Sequence, residues 1–183
     1  YGIDHLIHAE LKKKGHEPAP AADRPTLARR AAYVLTGLPP EPEQLDAFIS
    51  DQSEGAYGKY LAKLMQSLRY GEHQARYWLD SVRYGDTQVL HPDNKRGIYP
   101  YRDWVVRAFN ANMPFDQFIK EQLAGDLLPN PTPSQLVATG FVRMNPSTAE
   151  GGAIPAEFQA KNSFDRTEMF GTVMLGMSMG CAR

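Results

Sequence analysis

The chain has very little cysteine and no excess of either charge. Cys181 is the single cysteine among 183 residues, which excludes an intramolecular disulfide framework. Lysine and arginine number 20 and aspartate and glutamate 21, for a formal net charge of -1. A nucleic-acid-binding domain usually carries a basic stripe that neutralises phosphates. The balance of charges therefore predicts no nucleic-acid partner.

Long apolar runs and strand patterns are also missing. No apolar stretch approaches the roughly 20 residues needed to cross a bilayer, so we predict no transmembrane segment. Apolar residues instead recur at helical spacing, as Ile3, Leu6, Ile7 and Leu11 do near the start. This periodicity predicts an all-α fold, a single compact domain over residues 1–183 with about eight helices.

Proline- and glycine-rich segments predict the connections between these helices. They cover residues 16–23, 36–44 and 126–135, and residues 86–98 form a further long loop. Asp23 and Asn112 are expected to cap the helices that follow them. In two later helices the spacing places these residues on the inward face: Phe115, Phe118, Ile119 and Leu123, then Phe170, Val173, Met174 and Met177.

Motifs that carry catalysis or bind metals are not found. There is no glycine-rich phosphate loop and no recognisable nucleophile arrangement. His5 and His8 lie three residues apart, but no cysteine or carboxylate completes a ligand set. We interpret them as surface histidines and predict no metal site. Three ion pairs are expected to stabilise solvated helix faces: Glu72 with Arg76, Asp80 with Arg83, and Asp116 with Lys120.

One cluster of aromatic and charged residues is a candidate ligand site. It flanks the 86–98 loop and comprises Tyr84, Asp86, Arg102, Asp103 and Trp104. Sugars stack on aromatic rings and exchange hydrogen bonds with arginine and carboxylates, so a carbohydrate-binding or hydrolytic cleft is one interpretation. The alternative is structural: Asp103 caps its helix, Arg102 pairs with Asp80, and the aromatic rings belong to the core.

Methionine is concentrated near the carboxyl end, at Met169, Met174, Met177 and Met179. A thioether sulfur can bind haem iron, but flexible methionine more often fills irregular gaps in a core. We interpret this group as core.

Several long segments resemble a domain of unknown function found in secreted planctomycete proteins. They include "DRPTLARRAAYVLTGLPPEPEQLDAFISD", "YPYRDWVVRAFNANMPFDQFIKEQLAGDLLP", "EGGAIPAEF" and "DRTEMFGTVMLGMSMGCAR". Nearly the whole chain is covered, in the same order. The stretch from Glu72 to Trp78 departs from the family pattern at His73, Gln74 and Tyr77, so no role is assigned to those three positions.

The resemblance implies a haem-attachment motif at the carboxyl end. In the family the last segment continues as Cys-x-x-Cys-His, the attachment signature of c-type haem. Cys181, Ala182 and Arg183 match its first three positions. We expect the chain to be a fragment truncated within this motif, with haem c anchored at Cys181 in the longer parent protein and none in the fragment. The resemblance also implies export, to a periplasmic or otherwise extracytoplasmic location.

Three functional hypotheses follow. The first is an accessory helical domain of an exported c-type-cytochrome-like protein, transferring electrons through a haem at its carboxyl edge. The second is a carbohydrate-binding or hydrolytic module that uses the aromatic and charged cluster. The third is a structural domain that docks onto further domains of the same parent chain. The sequence does not decide whether the protein is an enzyme.

Overall fold

A computed structural model describes residues 2–148 and 150–181. Its described part is a single compact all-α domain without strands, as predicted. It contains nine α-helices: α1 (Gly2–Lys13), α2 (Arg24–Thr36), α3 (Pro42–Ser50), α4 (Ala56–Met65), α5 (Leu68–Ser81), α6 (Tyr99–Asn110), α7 (Phe115–Ala124), α8 (Pro133–Ala138) and α9 (Pro155–Leu175). Two short 3-10 turns follow α7 and α8, at Gly125–Leu127 and Thr139–Arg143.

None of the helices in the described ranges is long and apolar enough to cross a membrane.

Local sequence signals set several helix boundaries. Asp23 caps α2 as predicted, because its carboxylate accepts a 2.8 Å hydrogen bond from the amide of Thr26. That bond satisfies one of the free amides at the helix start. The Thr26 side chain, and after it the Thr26 amide, hold the pKa of Asp23 below its usual value by hydrogen bonding to the carboxylate. Helix α2 ends at Gly37, whose φ of 72° lies in the left-handed region that glycine tolerates. The start of α8 is fixed by a reciprocal capping box between Thr132 and Gln135.

A first hydrophobic cluster holds α2, α3 and α4 together. The rings of Phe48 and Tyr60 stack with their centroids 4.8 Å apart, and Ala28 and Ala32 pack beneath them fully buried. The guanidinium of Arg24 lies 4.3 Å from the Phe48 ring centroid and also donates to the carbonyl of Asp51 at 2.6 Å.

A second and larger cluster joins α5, α6, α7 and α8, and α9 adds Met169 to it. Trp104 is its largest fully buried side chain and stacks on Phe118, with ring centroids 5.3 Å apart. A buried polar network crosses this core. The Oε1 of Gln122 accepts hydrogen bonds from the Tyr101 hydroxyl at 2.7 Å and the Trp78 indole at 3.0 Å.

The segment between α5 and α6 lacks helices, as predicted, but backbone hydrogen bonds fix its course. The amide of Gln88 donates to the carbonyl of Asn94 at 2.9 Å, and the amide of Arg96 donates to that of Asp86 at 2.8 Å. The amide of Ser147 donates to the carbonyl of Gln88 at 3.0 Å. The loop therefore holds Asp86 in a defined place at the end of α5.

The expected cap at Asn112 is wrong. Asn112 lies outside α7, which begins directly after Pro114 and has no side-chain cap. It instead ends α6: its φ is 47°, and the Met113 amide donates to the Ala108 carbonyl at 3.0 Å. A left-handed residue followed by this bond is the common helix stop known as the Schellman motif, and asparagine tolerates that conformation.

The two predicted inward faces are only partly correct, and the apolar face of the first helix is uncovered. In α7 Phe118 is buried, whereas Phe115 is 70% exposed. In α9 the buried residue is Met169, and Phe170 turns partly toward solvent. Helix α1 has the predicted span, but it contains no buried residue and Ile3 is 74% exposed. Helical spacing identifies an apolar face, but it does not say whether another element covers that face.

Candidate functional site

A groove of about 620 Å³ runs along the contact between α5 and α6. Its walls come from one face of each helix and from the loop that joins them. Within each helix the lining residues recur three or four positions apart, the spacing that places side chains on a common face. The lining residues are Glu72, Arg76, Leu79, Asp80, Tyr84, Arg102, Asp103, Val106 and Arg107.

Side-chain hydrogen bonds fix the register of the two helices. The Gly71 amide donates to Asn110 Oδ1 at 2.8 Å, and Asn110 Nδ2 donates to the Leu68 carbonyl at 3.2 Å. Toward the other end, Trp78 Nε1 donates to the Tyr101 hydroxyl at 3.0 Å. The helices are therefore antiparallel, with the first turn of α5 beside the last turn of α6. A Cβ at Gly71 would lie 2.5 Å from the Asn110 side chain, so the helices approach closely because this residue is glycine.

Four of the five predicted ligand-binding residues form one network, and three of them, Tyr84, Arg102 and Asp103, line one end of the groove. The Tyr84 hydroxyl donates to Asp86 Oδ1 at 2.5 Å. Asp86 Oδ1 lies 3.6 Å from one Arg102 nitrogen, and Asp103 Oδ1 lies 2.9 and 3.0 Å from two others. Arg102 thus bridges two carboxylates that come from the loop and from its own helix.

This arrangement changes the proton affinity of two of its members. The hydrogen bond to Asp103 raises the pKa of the Arg102 guanidinium above its usual value. Burial, with a smaller contribution from the hydrogen bond to Asp86, raises the pKa of Tyr84 well above its ordinary value near 10. Tyr84 therefore stays protonated, and Arg102 charged, at any physiological pH. The cluster presents a fixed set of donors and acceptors.

Trp104 does not belong to the groove. It is 2% exposed and packs between Tyr101 and Phe118 in the second cluster. Its neighbours in sequence, Arg102 and Asp103, are half-exposed because they lie on the face of α6 that lines the groove. The prediction assigned Trp104 to a ligand because of its position in the chain, but helical geometry turns its ring into the core.

Two arginines and the apolar floor of the groove were not predicted from the sequence as parts of a ligand site. Leu79 and Val106 form the floor, and Arg76 and Arg107 form part of the rim. Neither arginine has a carboxylate partner within residues 2–148 and 150–181. Arg76 instead lies over the Tyr77 ring, 4.3 Å from its centroid. The common-face spacing of 72, 76, 79 and 80 with 102, 103, 106 and 107 was the available signal.

A model of a known protein family matches nearly the whole chain. The family model PSCyt2, described as a protein of unknown function (DUF1549), matches residues 2–183. The chain belongs to this family. No curated protein and no solved structure matches the chain.

The structural alternative for the cluster is wrong in two details. Asp103 is the fifth residue of α6 and does not cap it, because the helix begins behind Ile98. Arg102 pairs with Asp86 and Asp103, and not with Asp80. Asp80 lines the groove and has no cation partner in the described chain.

The predicted ion pairs along α5 also differ. Arg69, not Arg76, pairs with Glu72, at 2.7 Å. Arg83 pairs with Asp165 of α9, at 2.5 Å, and not with Asp80. Arg83 has a φ of 59°, which takes it out of the helix and turns it toward α9. Neither expected pair at i,i+3 or i,i+4 forms, and this leaves Arg76 unpaired at the groove.

The proposed haem anchor lies far along the chain from the groove. Cys181 is exposed, and the other two positions of the predicted signature, Ala182 and Arg183, lie outside the described residues. Complete attachment of c-type haem needs a second cysteine and a histidine, and this chain contains one cysteine. The residues present therefore fit one thioether anchor and do not fit the whole group.

Methionines near Cys181 are mostly packed. Met169 is buried, Met174 packs against the second cluster, and the Met179 side chain lies directly over Gly171, where a Cβ would collide with it. Met177 is about half exposed. No group of three histidine, cysteine or acidic residues comes together as a metal site in the described part of the chain.

Proposed function

We propose that this DUF1549 domain is a ligand-binding module whose groove between α5 and α6 binds a saccharide. The observation that carries the proposal is the joined network of Tyr84, Asp86, Arg102 and Asp103 at one end of that groove. A volume of about 620 Å³ lies within the range of small-molecule sites, about 300–1,000 Å³.

The chemistry of the groove suits a polyhydroxylated molecule. Sugar hydroxyls act as donors and acceptors at once, and the network offers both: carboxylate oxygens accept and the guanidinium donates. The apolar floor of Leu79 and Val106 matches the C–H face of a pyranose ring. Because Arg102 is already held by two carboxylates, little side-chain entropy is lost when a ligand binds.

Binding to oligosaccharides tests the proposal. The intact chain is titrated with neutral and acidic oligosaccharides by calorimetry, with thermal shift as a second readout. Arg102→Gln removes the central donor, and we expect at least about tenfold weaker binding, as for loss of a charge-assisted hydrogen bond.

Arg29→Gln is the matched control, because Arg29 is exposed on α2, outside the groove lining, and lies over the Tyr33 ring. Binding that is equal in the native chain and in both variants contradicts the proposed site. No binding heat with any oligosaccharide contradicts the proposed function.

A second candidate function concerns the carboxyl end. We propose that, in a longer exported planctomycete parent protein, this domain accompanies an electron-transferring haem c anchored at Cys181 and contacts further domains of the same chain. The exposed thiol of Cys181 favours this candidate, and the family label PSCyt2 suggests an association with cytochromes.

The intact mass and visible spectrum of the natural full-length protein, matured with the haem-attachment machinery, test this candidate. We expect the mass of one haem in addition to the polypeptide and a Soret band, both lost in Cys181→Ala. A bare polypeptide mass without a Soret band contradicts the candidate and leaves Cys181 an ordinary thiol.

A further inference from the structure

The two halves of the groove differ in charge. Since the helices are antiparallel, Glu72 on α5 lies beside the Arg107 end of α6 and Asp80 lies beside Arg102, with Arg76 between them, one helical turn from each. Arg102 already has two carboxylate partners. Arg76 and Arg107 have no carboxylate partner in the described chain.

The carboxylate in the first half does not neutralise these arginines. Glu72 is bound by Arg69 at 2.7 Å, and Arg69 is not part of the groove lining. The Arg76 guanidinium lies over the ring of Tyr77, the next residue in the chain. Arg107 is exposed in the last turn of α6. An unpaired guanidinium presents a planar fork of donors that matches a carboxylate.

The unpaired guanidinium groups of Arg76 and Arg107, on facing helices beside the apolar floor, favour an anionic ligand toward the Arg107 end of the groove. The other end offers acceptors for hydroxyl groups through Asp80 and Asp103, and Asp86 supports that end by holding Tyr84 and Arg102. An anion alone would leave that end unused, and it would be repelled by these carboxylates. One molecule satisfies both ends if it is a saccharide that carries a carboxylate.

We infer that the ligand of the groove is an acidic saccharide, whose uronate carboxylate binds Arg76 and Arg107 while its hydroxyls bind the network around Arg102. This inference rests on the proposed function and adds the chemical class of the saccharide. Because the groove is open to solvent, the attraction between the carboxylate and the two arginines is screened by salt.

The test compares two saccharides that differ at the carboxylate, with inorganic sulfate as a third probe. Oligogalacturonate carries a carboxylate on every sugar, and its methyl-esterified form has the same sugars without the charge. We expect the native chain to bind oligogalacturonate roughly tenfold or more tightly than the ester, and we expect this preference to shrink as salt is raised.

A matched pair of double variants locates the preference. Arg76→Gln with Arg107→Gln removes the two unpaired arginines, and Arg29→Gln with Arg30→Gln removes the same charge from α2. The first variant should bind both ligands equally, whereas the second should keep the native preference. Circular dichroism of both variants confirms that they are folded.

The outcomes distinguish a failure of the acidic-saccharide inference from a failure of the proposed saccharide-binding function. Equal binding of the acid and the ester by the native chain overturns this inference and leaves the proposed function intact. So does a preference that survives in the Arg76 and Arg107 variant. Binding of inorganic sulfate as tightly as oligogalacturonate, with no binding of the ester, overturns both, because the groove is then an anion site without a sugar component. Absence of binding to all three also overturns both.

Discussion

Replacing Gln122 with leucine should destabilise the domain through one buried hydroxyl. Gln122 is fully buried, and its Oε1 accepts hydrogen bonds from Tyr101 and Trp78, at 2.7 and 3.0 Å. Leucine has a similar size but no acceptor. In the variant the Trp78 indole can still donate to the Tyr101 oxygen, since these atoms are 3.0 Å apart in the native structure. The hydroxyl hydrogen of Tyr101, which is 1% exposed, has no acceptor left.

The size of the effect follows from that single unsatisfied donor. A buried polar group deprived of its partner costs about 1–3 kcal/mol. For a chain of 183 residues, each kcal/mol lowers the melting temperature by about 2–4 °C, which gives a decrease of about 2–12 °C. Tyr101→Phe removes the donor itself and leaves Gln122 bonded to Trp78, so its cost should stay near the lower value of about 0.5–1.5 kcal/mol for one hydrogen bond.

Urea denaturation of three variants measures these differences. Gln122→Leu should lose more free energy of unfolding than Tyr101→Phe. Gln66→Leu, at an exposed position after α4, serves as the control and should stay within about 0.5 kcal/mol of the native chain. If Gln122→Leu proves as stable as the native chain, or more stable than Tyr101→Phe, the account of this buried network is wrong.

Three further predictions concern the same helices and their neighbours. Burial raises the pKa values of Tyr84 and Tyr101, so the stability that they contribute is fully present below about pH 10 and is lost as the pH rises through their raised pKa values. An absorbance titration of tyrosinate should show both ionising after the exposed tyrosines, and an early single transition for all tyrosines would contradict this. Gly71→Ala should cost about 1–3 kcal/mol through overpacking at the contact of α5 and α6, whereas Gly58→Ala on the open face of α4 should gain about 0.5–1 kcal/mol; thermal melts that rank them in the opposite order would refute the close approach. Thr132→Ala should cost about 1 kcal/mol through loss of the capping box of α8, and an unchanged melting temperature would show that this box contributes nothing.

The sequence was a good guide wherever a signal was local. The Asp23 cap and the long loop after α5 follow from residue types close together in the chain. Asn112 shows the limit of such signals, because asparagine favours both a helix cap and the left-handed residue that ends a helix. The chain uses it for the second purpose at the end of α6.

The candidate site was only partly predictable, for a reason that Trp104 and Arg107 illustrate. The cluster was found because aromatic and charged residues flank one loop, and four of its members do meet there. Which face of α6 points outward depends on its packing against α5 and α7, and this packing buries Trp104 and leaves Arg107 on the rim. Helical spacing did not determine the ion pairs either, because Arg83 pairs with Asp165, which is 82 residues away in the chain.

The central claim is that saccharides bind in the groove between α5 and α6. The most direct measurement is an NMR titration that follows the side-chain Nε–H signals of Arg76, Arg102 and Arg107 as an oligosaccharide is added. The account predicts that these three signals shift together and saturate at one affinity, while the signal of Arg29 on α2 does not move. Signals that all stay in place, or that shift only at Arg29, would contradict it.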